Sequence, residues 1–161
     1  MSQSKRNIGT DIALFFSKFG MRVLTMVARL TPKILVADDD ALYRLIFEEA
    51  FDDMGHDYKI VDGGSQAIME LIASPNSFDC IILDIFMERL DGVETGHVVR
   101  RLNQDIPIIM ITGDLKKETE EKARCVGISD YMRKPFSHEE IQTTVTRVLK
   151  LAWEKQALAR T

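Results

Sequence analysis

The chain is poor in cysteine. It has 161 residues and only 2 cysteines, Cys80 and Cys125. Two cysteines do not make the disulfide framework that small secreted domains depend on. Cys80 stands inside an apolar run, where a small buried thiol is expected. This use of cysteine fits a reducing cytoplasm, and we expect the protein to be cytoplasmic.

The chain also lacks a long uninterrupted apolar run. The most apolar stretch, residues 12–30, is broken by Lys18 and Arg22, and no small-residue cleavage site follows it. These two charges exclude a membrane span, and the missing cleavage site excludes a secretory signal.

An excess of positive charge is missing outside the first 33 residues. Those residues carry a net charge of +5, so that the total of −4 leaves −9 for the remainder. The acidic remainder argues against a nucleic-acid-binding surface on the main domain. A basic N-terminal segment before an acidic domain indicates a separate role for that segment.

From Lys33 onward, short apolar runs alternate with longer amphipathic ones. The short runs predict strands at residues 34–37, 58–61, 80–83, 108–111 and 130–132. The longer runs predict helices at residues 42–54, 65–73, 93–102, 117–126 and 139–153.

The spacing of apolar residues and the residues at the predicted helix ends support this pattern. In the first helix, a three-four spacing that indicates one buried face is shown by Leu42, Leu45, Ile46, Glu49 and Ala50. Gly55 is placed to end that helix, and Ser137 with Glu140 to begin the last one. Alternating strands and helices predict a doubly wound α/β domain with a parallel sheet.

Reactive side chains stand directly after four of the predicted strands. These side chains are Asp38, Asp39 and Asp40, then Asp84, then Thr112, and finally Lys134. In sheets of this type the site lies beyond the carboxyl ends of the strands, so we expect these groups to share one crevice. Carboxylates can hold Mg²⁺, while a lysine and a threonine can hold the oxygens of a phosphoryl group.

With these motifs the sequence resembles the receiver domain of bacterial two-component response regulators. The resemblance covers residues 33–150, approximately, in family order and spacing. It is carried by Ile34-Leu35-Val36-Ala37-Asp38-Asp39-Asp40, by Asp84 with Met87 and Asp91-Gly92, by Ile111-Thr112-Gly113, and by Tyr131-Met132-Arg133-Lys134-Pro135-Phe136. It implies a flavodoxin-like fold, in which a five-stranded parallel sheet of order 2-1-3-4-5 is accompanied by five helices.

The resemblance also implies a role for each matching residue. Asp84 is implied to be the phosphoacceptor, with Thr112 and Lys134 contacting the phosphoryl group. Mg²⁺ is implied to be held by Asp38, Asp39, Asp84 and the backbone carbonyl of Phe86. Thr112 and Tyr131 are implied to form the switch, and the Lys134–Pro135 bond is usually cis in the family. Asp40 is expected to cap the first helix.

Two positions depart from the family pattern. Glu88 stands where a proline usually follows the methionine of the acceptor loop, and Phe86 stands where a polar or small residue is more common. We expect the Phe86 carbonyl still to reach the metal. We expect its ring to hinder the water that hydrolyses the acyl phosphate.

The N-terminal segment, residues 1–31, predicts an amphipathic helix or a flexible extension. Its apolar face is formed by Leu14, Phe15, Phe19, Val23, Met26 and Leu30. Four uses remain open: docking on its own domain or pairing with another copy into a homodimer, peripheral contact with an anionic membrane, disorder, or a true start at Met21 or Met26.

We expect the receiver domain to span residues 32–153 and the end of the last helix with a tail to span 154–161. So little chain after the domain predicts a single-domain regulator without direct DNA binding.

The expected partners are a histidine kinase or histidine phosphotransfer protein and a downstream protein target. That target would meet the surface of helix 4, strand 5 and helix 5. The protein is expected to be no enzyme in the usual sense, but a phosphoacceptor with self-catalysed phosphotransfer and autodephosphorylation.

Two other functions compete with this one. A phosphatase of the haloacid-dehalogenase type also uses an aspartyl nucleophile and Mg²⁺, but Leu42 is not the residue that family needs, and Asp84 would have no role. A degenerate receiver would act as a scaffold without phosphorylation. The complete set of three aspartates, Thr112 and Lys134 argues against degeneracy.

Overall fold

The structure is a computed structural model that describes residues 31–113 and 116–159. Strands and helices alternate along the described chain. They are β1 (Lys33–Ala37), α1 (Ala41–Met54), β2 (Asp57–Val61), α2 (Gly64–Ala73), β3 (Cys80–Asp84), α3 (Gly92–Leu102), β4 (Ile108–Thr112), α4 (Lys117–Cys125), β5 (Asp130–Arg133) and α5 (His138–Leu158). Every strand and helix predicted from Lys33 onward is confirmed. The last helix continues past residue 153 into the segment 154–161, as expected.

All five strands are parallel and stand in the order β2-β1-β3-β4-β5. This order confirms the predicted flavodoxin-like, doubly wound fold. In the register, Asp84 pairs with Ile111 and Thr112 pairs with Arg133, so the ends of β3, β4 and β5 are level. The carboxyl ends of the strands therefore form one edge, and the loops that follow them meet there.

The sheet is covered on both faces. Alternate residues of the central strands point to opposite sides, as Ile81 and Ile82 of β3 do. One layer packs Ile81 under α2, α3 and α4, and the other packs Ile82 under α1 and α5. Both β3 and β4 are buried along their whole length, which explains their uninterrupted apolar sequences.

The buried face of α1 matches the prediction at Ala50, which is fully buried, and differs from it at Leu42 and Leu45. Leu42 and Leu45 are 61% and 51% exposed, whereas Phe47 and Phe51 are fully buried. Both sets of residues follow the three-four spacing of a helix, so the spacing alone did not separate them. The aromatic side chains bury more apolar area, and they turn inward against β1 and α5.

The predicted helix ends are confirmed. The Asp40 carboxylate accepts a hydrogen bond from the backbone N–H of Leu42 at the start of α1. Gly55 ends that helix with a φ of 64°, in the left-handed region that favours glycine. At α5, the Ser137 hydroxyl accepts a hydrogen bond from the backbone N–H of Glu140.

The predicted N-terminal helix within residues 1–31 lies outside the described residues, apart from Thr31 itself. Among the helices that the structure describes, none combines the length and the apolar character needed to cross a membrane.

Gly92 is where α3 meets the end of β3. Its backbone N–H donates to the carbonyl of Ile85, and a Cβ at this position would overlap the carbonyl oxygen of Asp84. The absence of a side chain therefore lets the first turn of α3 lie directly against the strand end that carries Asp84.

We expect Gly92→Ala to lower the free energy of unfolding by about 1–3 kcal/mol, because the added methyl group must push β3 and α3 apart. Urea denaturation followed by circular dichroism measures the change. Gly63→Ala is the matched control, because a Cβ at Gly63 meets no atom within 4 Å. Equal stability of the two variants would contradict the expectation.

Candidate functional site

The loops and strand ends at the carboxyl edge bring together the residues that the sequence indicated. Asp38 and Asp39 follow β1, Asp84 ends β3, and Lys134 follows β5. The three aspartates each offer a carboxylate oxygen, and these oxygens all lie within 4.8 Å of one another. Asp38 and Asp84 are buried, whereas Asp39 is exposed.

A backbone N–H orients one oxygen of each carboxylate. The N–H of Asp40 donates to Asp38 Oδ1 at 2.9 Å, and that of Glu88 donates to Asp39 Oδ2 at 3.1 Å. The N–H of Phe86 donates to Asp84 Oδ1 at 3.3 Å. The loops after β1 and β3 therefore fix the three carboxylates relative to one another.

Lys134 joins two of the three aspartates. Its Nζ lies 2.7 Å from Asp84 Oδ2 and 2.9 Å from Asp38 Oδ2, and its side chain is only 12% exposed. The same Nζ lies over the ring of Tyr43, 4.1 Å from the ring centroid. The cation is thus bounded by two carboxylates and one aromatic face.

The site holds more negative than positive charge. The pKa of Asp84 is raised to about 6, mainly by burial and also by the nearby Asp38, although Lys134 opposes both effects. Burial also raises the pKa of Asp38. Burial alone would lower the pKa of Lys134, but its hydrogen bonds to Asp84 and Asp38 outweigh burial and raise the pKa. The single positive charge of Lys134 does not balance the negative charges of the three aspartates.

The carboxylates fit a divalent magnesium ion. They are hard oxygen donors, their oxygens converge to within 4.8 Å of one another, and their mutual repulsion would be relieved by two positive charges. Asp38, Asp39 and Asp84 would hold the ion. The predicted contribution of the Phe86 carbonyl stays a prediction.

The remaining predicted site residues lie around this centre. Thr112 is fully buried at the end of β4, and its carbonyl accepts a hydrogen bond from the backbone N–H of Lys134. Tyr131 is half-buried in β5 and packs against the core layer of α2, α3 and α4. The side chain of Phe86, two residues after Asp84, is 54% exposed. The Lys134–Pro135 bond is cis, as expected.

Three contacts of the site were not anticipated. Arg44 donates to the backbone carbonyl of Asp38 at 2.8 Å, the Glu88 N–H binds Asp39, and Tyr43 faces Lys134. Tyr43 and Arg44 both stand in the first turn of α1, which offered no sequence signal for partners far along the chain. Only the packing of α1 against the sheet brings them to the site.

Comparison with known proteins agrees with this geometry. The family model described as "Response regulator receiver domain" matches residues 34–146, which is most of the chain. The chain belongs to the response regulator receiver domain family. Receiver domains work in two-component signalling, and phosphorylation and Mg²⁺ binding are general features of the family.

Curated relatives of this receiver domain are longer proteins. "Response regulator MprA" of Mycolicibacterium vanbaalenii is 31% identical over 118 residues, covering 73% of this chain and 50% of the relative. "Transcriptional regulatory protein ZraR" of Escherichia coli is 29% identical over 116 residues, covering 72% of this chain and 26% of the relative. The chain thus spans half or less of these relatives, and its single-domain organisation stays a prediction.

Solved structures of similar receiver domains match in fold. The chemotaxis protein CheY4 of Vibrio cholerae is 28% identical with a TM-score of 0.69, covering 73% of this chain and 98% of that one. The receiver domain of Francisella response regulator 1452 is 32% identical with a TM-score of 0.67, covering 74% and 98%. With family membership shown, the haloacid-dehalogenase alternative is wrong, and the convergence of the site on Asp84 gives the physical reason.

The raised pKa of Asp84 has a consequence for stability. Between about pH 6 and 3.8 the folded chain binds a proton at Asp84 that the unfolded chain does not, so acidification through this range stabilises the fold. Above pH 6 the ionised carboxylate is unfavourable by at most about 3 kcal/mol.

We therefore expect Asp84→Asn to raise the free energy of unfolding by about 1–3 kcal/mol at pH 8 without Mg²⁺, and by clearly less at pH 5. Urea denaturation in the presence of EDTA measures both values. Asp57→Asn is the control, because Asp57 is exposed. If the Asp84→Asn variant is no more stable than the original chain at pH 8, the ionised Asp84 carboxylate does not destabilise the fold, and the expectation is wrong.

Proposed function

We propose that this receiver domain accepts a phosphoryl group on Asp84 from a histidine kinase or a histidine phosphotransfer protein, and thereby changes its binding to a downstream protein. The observation that carries the proposal is the convergence of Asp38, Asp84 and Lys134, with Nζ–Oδ distances of 2.9 and 2.7 Å. An ion pair made only for stability would not need the third carboxylate, that of Asp39, within 4.8 Å of the two that Lys134 contacts.

In the proposed transfer, a carboxylate oxygen of Asp84 attacks the phosphorus of the donor. A new O–P bond forms as the P–N bond to the donor histidine breaks, and the imidazole leaves with the bonding electrons and takes up a proton. The product is an acyl phosphate on Asp84. Such transfers need positioning and charge neutralisation more than covalent assistance.

The chain's own residues supply most of these needs. Lys134 is proposed to bind the phosphoryl oxygens with its ammonium, and Thr112 to donate a hydrogen bond to them. Asp38 and Asp39, with Asp84, are proposed to hold Mg²⁺, which supplies positive charge against the charge of the phosphoryl group. The Phe86 carbonyl is the proposed further ligand.

The proposed output follows from the charge that phosphorylation adds. The new oxygens stand beside Thr112 and Lys134, and Thr112 is proposed to move toward them while Tyr131 turns inward. Tyr131 belongs to β5, and Thr112 ends the neighbouring strand β4. We propose that the downstream partner binds the surface of α4, β5 and α5. A cytoplasmic location and the absence of direct DNA binding belong to the same proposal.

We expect incubation of the full chain with Mg²⁺ and acetyl phosphate to add one phosphoryl group, detected by intact mass. Asp84→Ala should remain unmodified because the acceptor oxygen is gone, and EDTA should suppress the reaction. Asp40→Ala is the matched control, because the Asp40 side chain caps α1, while its backbone N–H, which binds Asp38, is kept in the variant. If the original chain gains no mass, the chain is a degenerate receiver that acts as a scaffold.

The Phe86 ring predicts a long-lived acyl phosphate. Phe86 stands two residues after Asp84 and its side chain is 54% exposed. We propose that the ring hinders the approach of the hydrolytic water to the acyl phosphate. We expect Phe86→Asn to accelerate autodephosphorylation several-fold, measured as the loss of the phosphoryl adduct after removal of acetyl phosphate. An unchanged rate would show that the ring does not shield the acyl phosphate.

A further inference from the structure

Tyr43 is the third neighbour of the Lys134 ammonium. The Nζ atom lies 4.1 Å from the Tyr43 ring centroid, which is well within the range of a cation–π interaction. We propose that Tyr43 is a positioning residue that holds the Lys134 ammonium where it receives the phosphoryl group. The inference rests on the proposed function, because it assigns a role in that same reaction.

The Tyr43 ring is itself held in place. It stands in the first turn of α1 and packs against Phe136, with ring centroids 5.1 Å apart and planes tilted by 50°. Phe136 packs in turn on the fully buried Phe47 at 5.3 Å. Because Phe136 stands two residues after Lys134, the same aromatic cluster contacts both the loop after β5 and the ring that faces its lysine.

An aromatic face suits this site better than another carboxylate would. The site already has more carboxylates than ammonium groups, and burial raises the pKa of both Asp38 and Asp84. A π face attracts the ammonium through its quadrupole but carries no net charge. Tyr43 can therefore hold Lys134 without adding to the repulsion between the aspartates.

The contact with Tyr43 is also independent of the acceptor. Lys134 donates to Asp84 Oδ2, and phosphorylation changes the charge and the bonding of that carboxylate. The ring of Tyr43 takes no part in the transfer. It therefore offers the ammonium a constant contact while the hydrogen bonds to Asp84 are rearranged.

A purely structural role for Tyr43 is the competing explanation, because the ring also fills space between α1 and Phe136. The two roles differ in their dependence on ring electrons. Fluorine atoms on an aromatic ring withdraw electron density from its face and weaken cation–π attraction, while the shape of the ring changes little. A packing role does not respond to this change.

The test uses the full chain and measures the rate of phosphorylation by acetyl phosphate with Mg²⁺, by intact mass. We expect Tyr43→Leu to lower the rate about tenfold. Tyr43→Phe should recover most of it, and a trifluorinated phenylalanine at position 43 should lose it again. If Tyr43→Leu does not fold, as judged by circular dichroism, the comparison of the two phenylalanine forms decides alone.

Two controls complete the experiment. Leu45→Ala removes an apolar, 51% exposed side chain from the same helix. Trifluorinated phenylalanine at position 47 alters a ring of the same cluster that faces no cation within the part of the chain that the structure describes. Neither should change the rate more than twofold. In a Lys134→Ala background, Tyr43→Leu should have no additional effect, because the two residues act as one unit.

The outcomes separate the inference from the function on which it rests. If the unaltered chain takes up no phosphoryl group, the proposed function fails. If the chain is phosphorylated but fluorination at position 43 leaves the rate unchanged, or if Tyr43→Leu lowers the rate equally with and without Lys134, the positioning role is overturned and the proposed function stands.

Discussion

The site depends on the ion pairs of one ammonium with two buried carboxylates. Lys134 approaches within 3 Å of both Asp38 and Asp84, which come from loops and strands far apart in the chain. Without this cation, two carboxylates with almost no exposure would face each other across the carboxyl edge of the sheet. The surrounding strands, loops and helices hold these three groups in the geometry that a buried ion pair needs in order to offset the cost of burying its charges.

That support begins with the sheet. Parallel strands put β1, β3 and β5 with their carboxyl ends at one edge, so that residues separated by about fifty positions become neighbours. The close approach of α3 at Gly92 and the backbone N–H groups of Asp40, Glu88 and Phe86 then fix the carboxylates. Burial makes these charges unfavourable, and the same burial makes the site responsive to a divalent cation or a phosphoryl group.

Helix α1 contributes to the site as well as to the core. Its first turn supplies the Asp40 cap, the Arg44 hydrogen bond to the Asp38 carbonyl, and the Tyr43 ring over Lys134. Its later turns bury Phe47 and Phe51 under the sheet. Packing of the aromatic face thus sets the rotation of the helix, and that rotation decides which side chains of the first turn reach the site.

The sequence by itself determined the strands and helices, the parallel doubly wound fold and the identity of the acidic, hydroxyl and ammonium groups. It could do so because these depend on local periodicity, on helix-ending residues and on the order of strand ends, all of which are visible along the chain. The tertiary structure alone decided which side of α1 is buried. The pair Leu42 and Leu45 and the pair Phe47 and Phe51 both fit the helical spacing, but only the two phenylalanines are buried. It also decided the contact between Tyr43 and Lys134, since the pairing of two residues 91 positions apart follows from packing and leaves no mark in either local sequence.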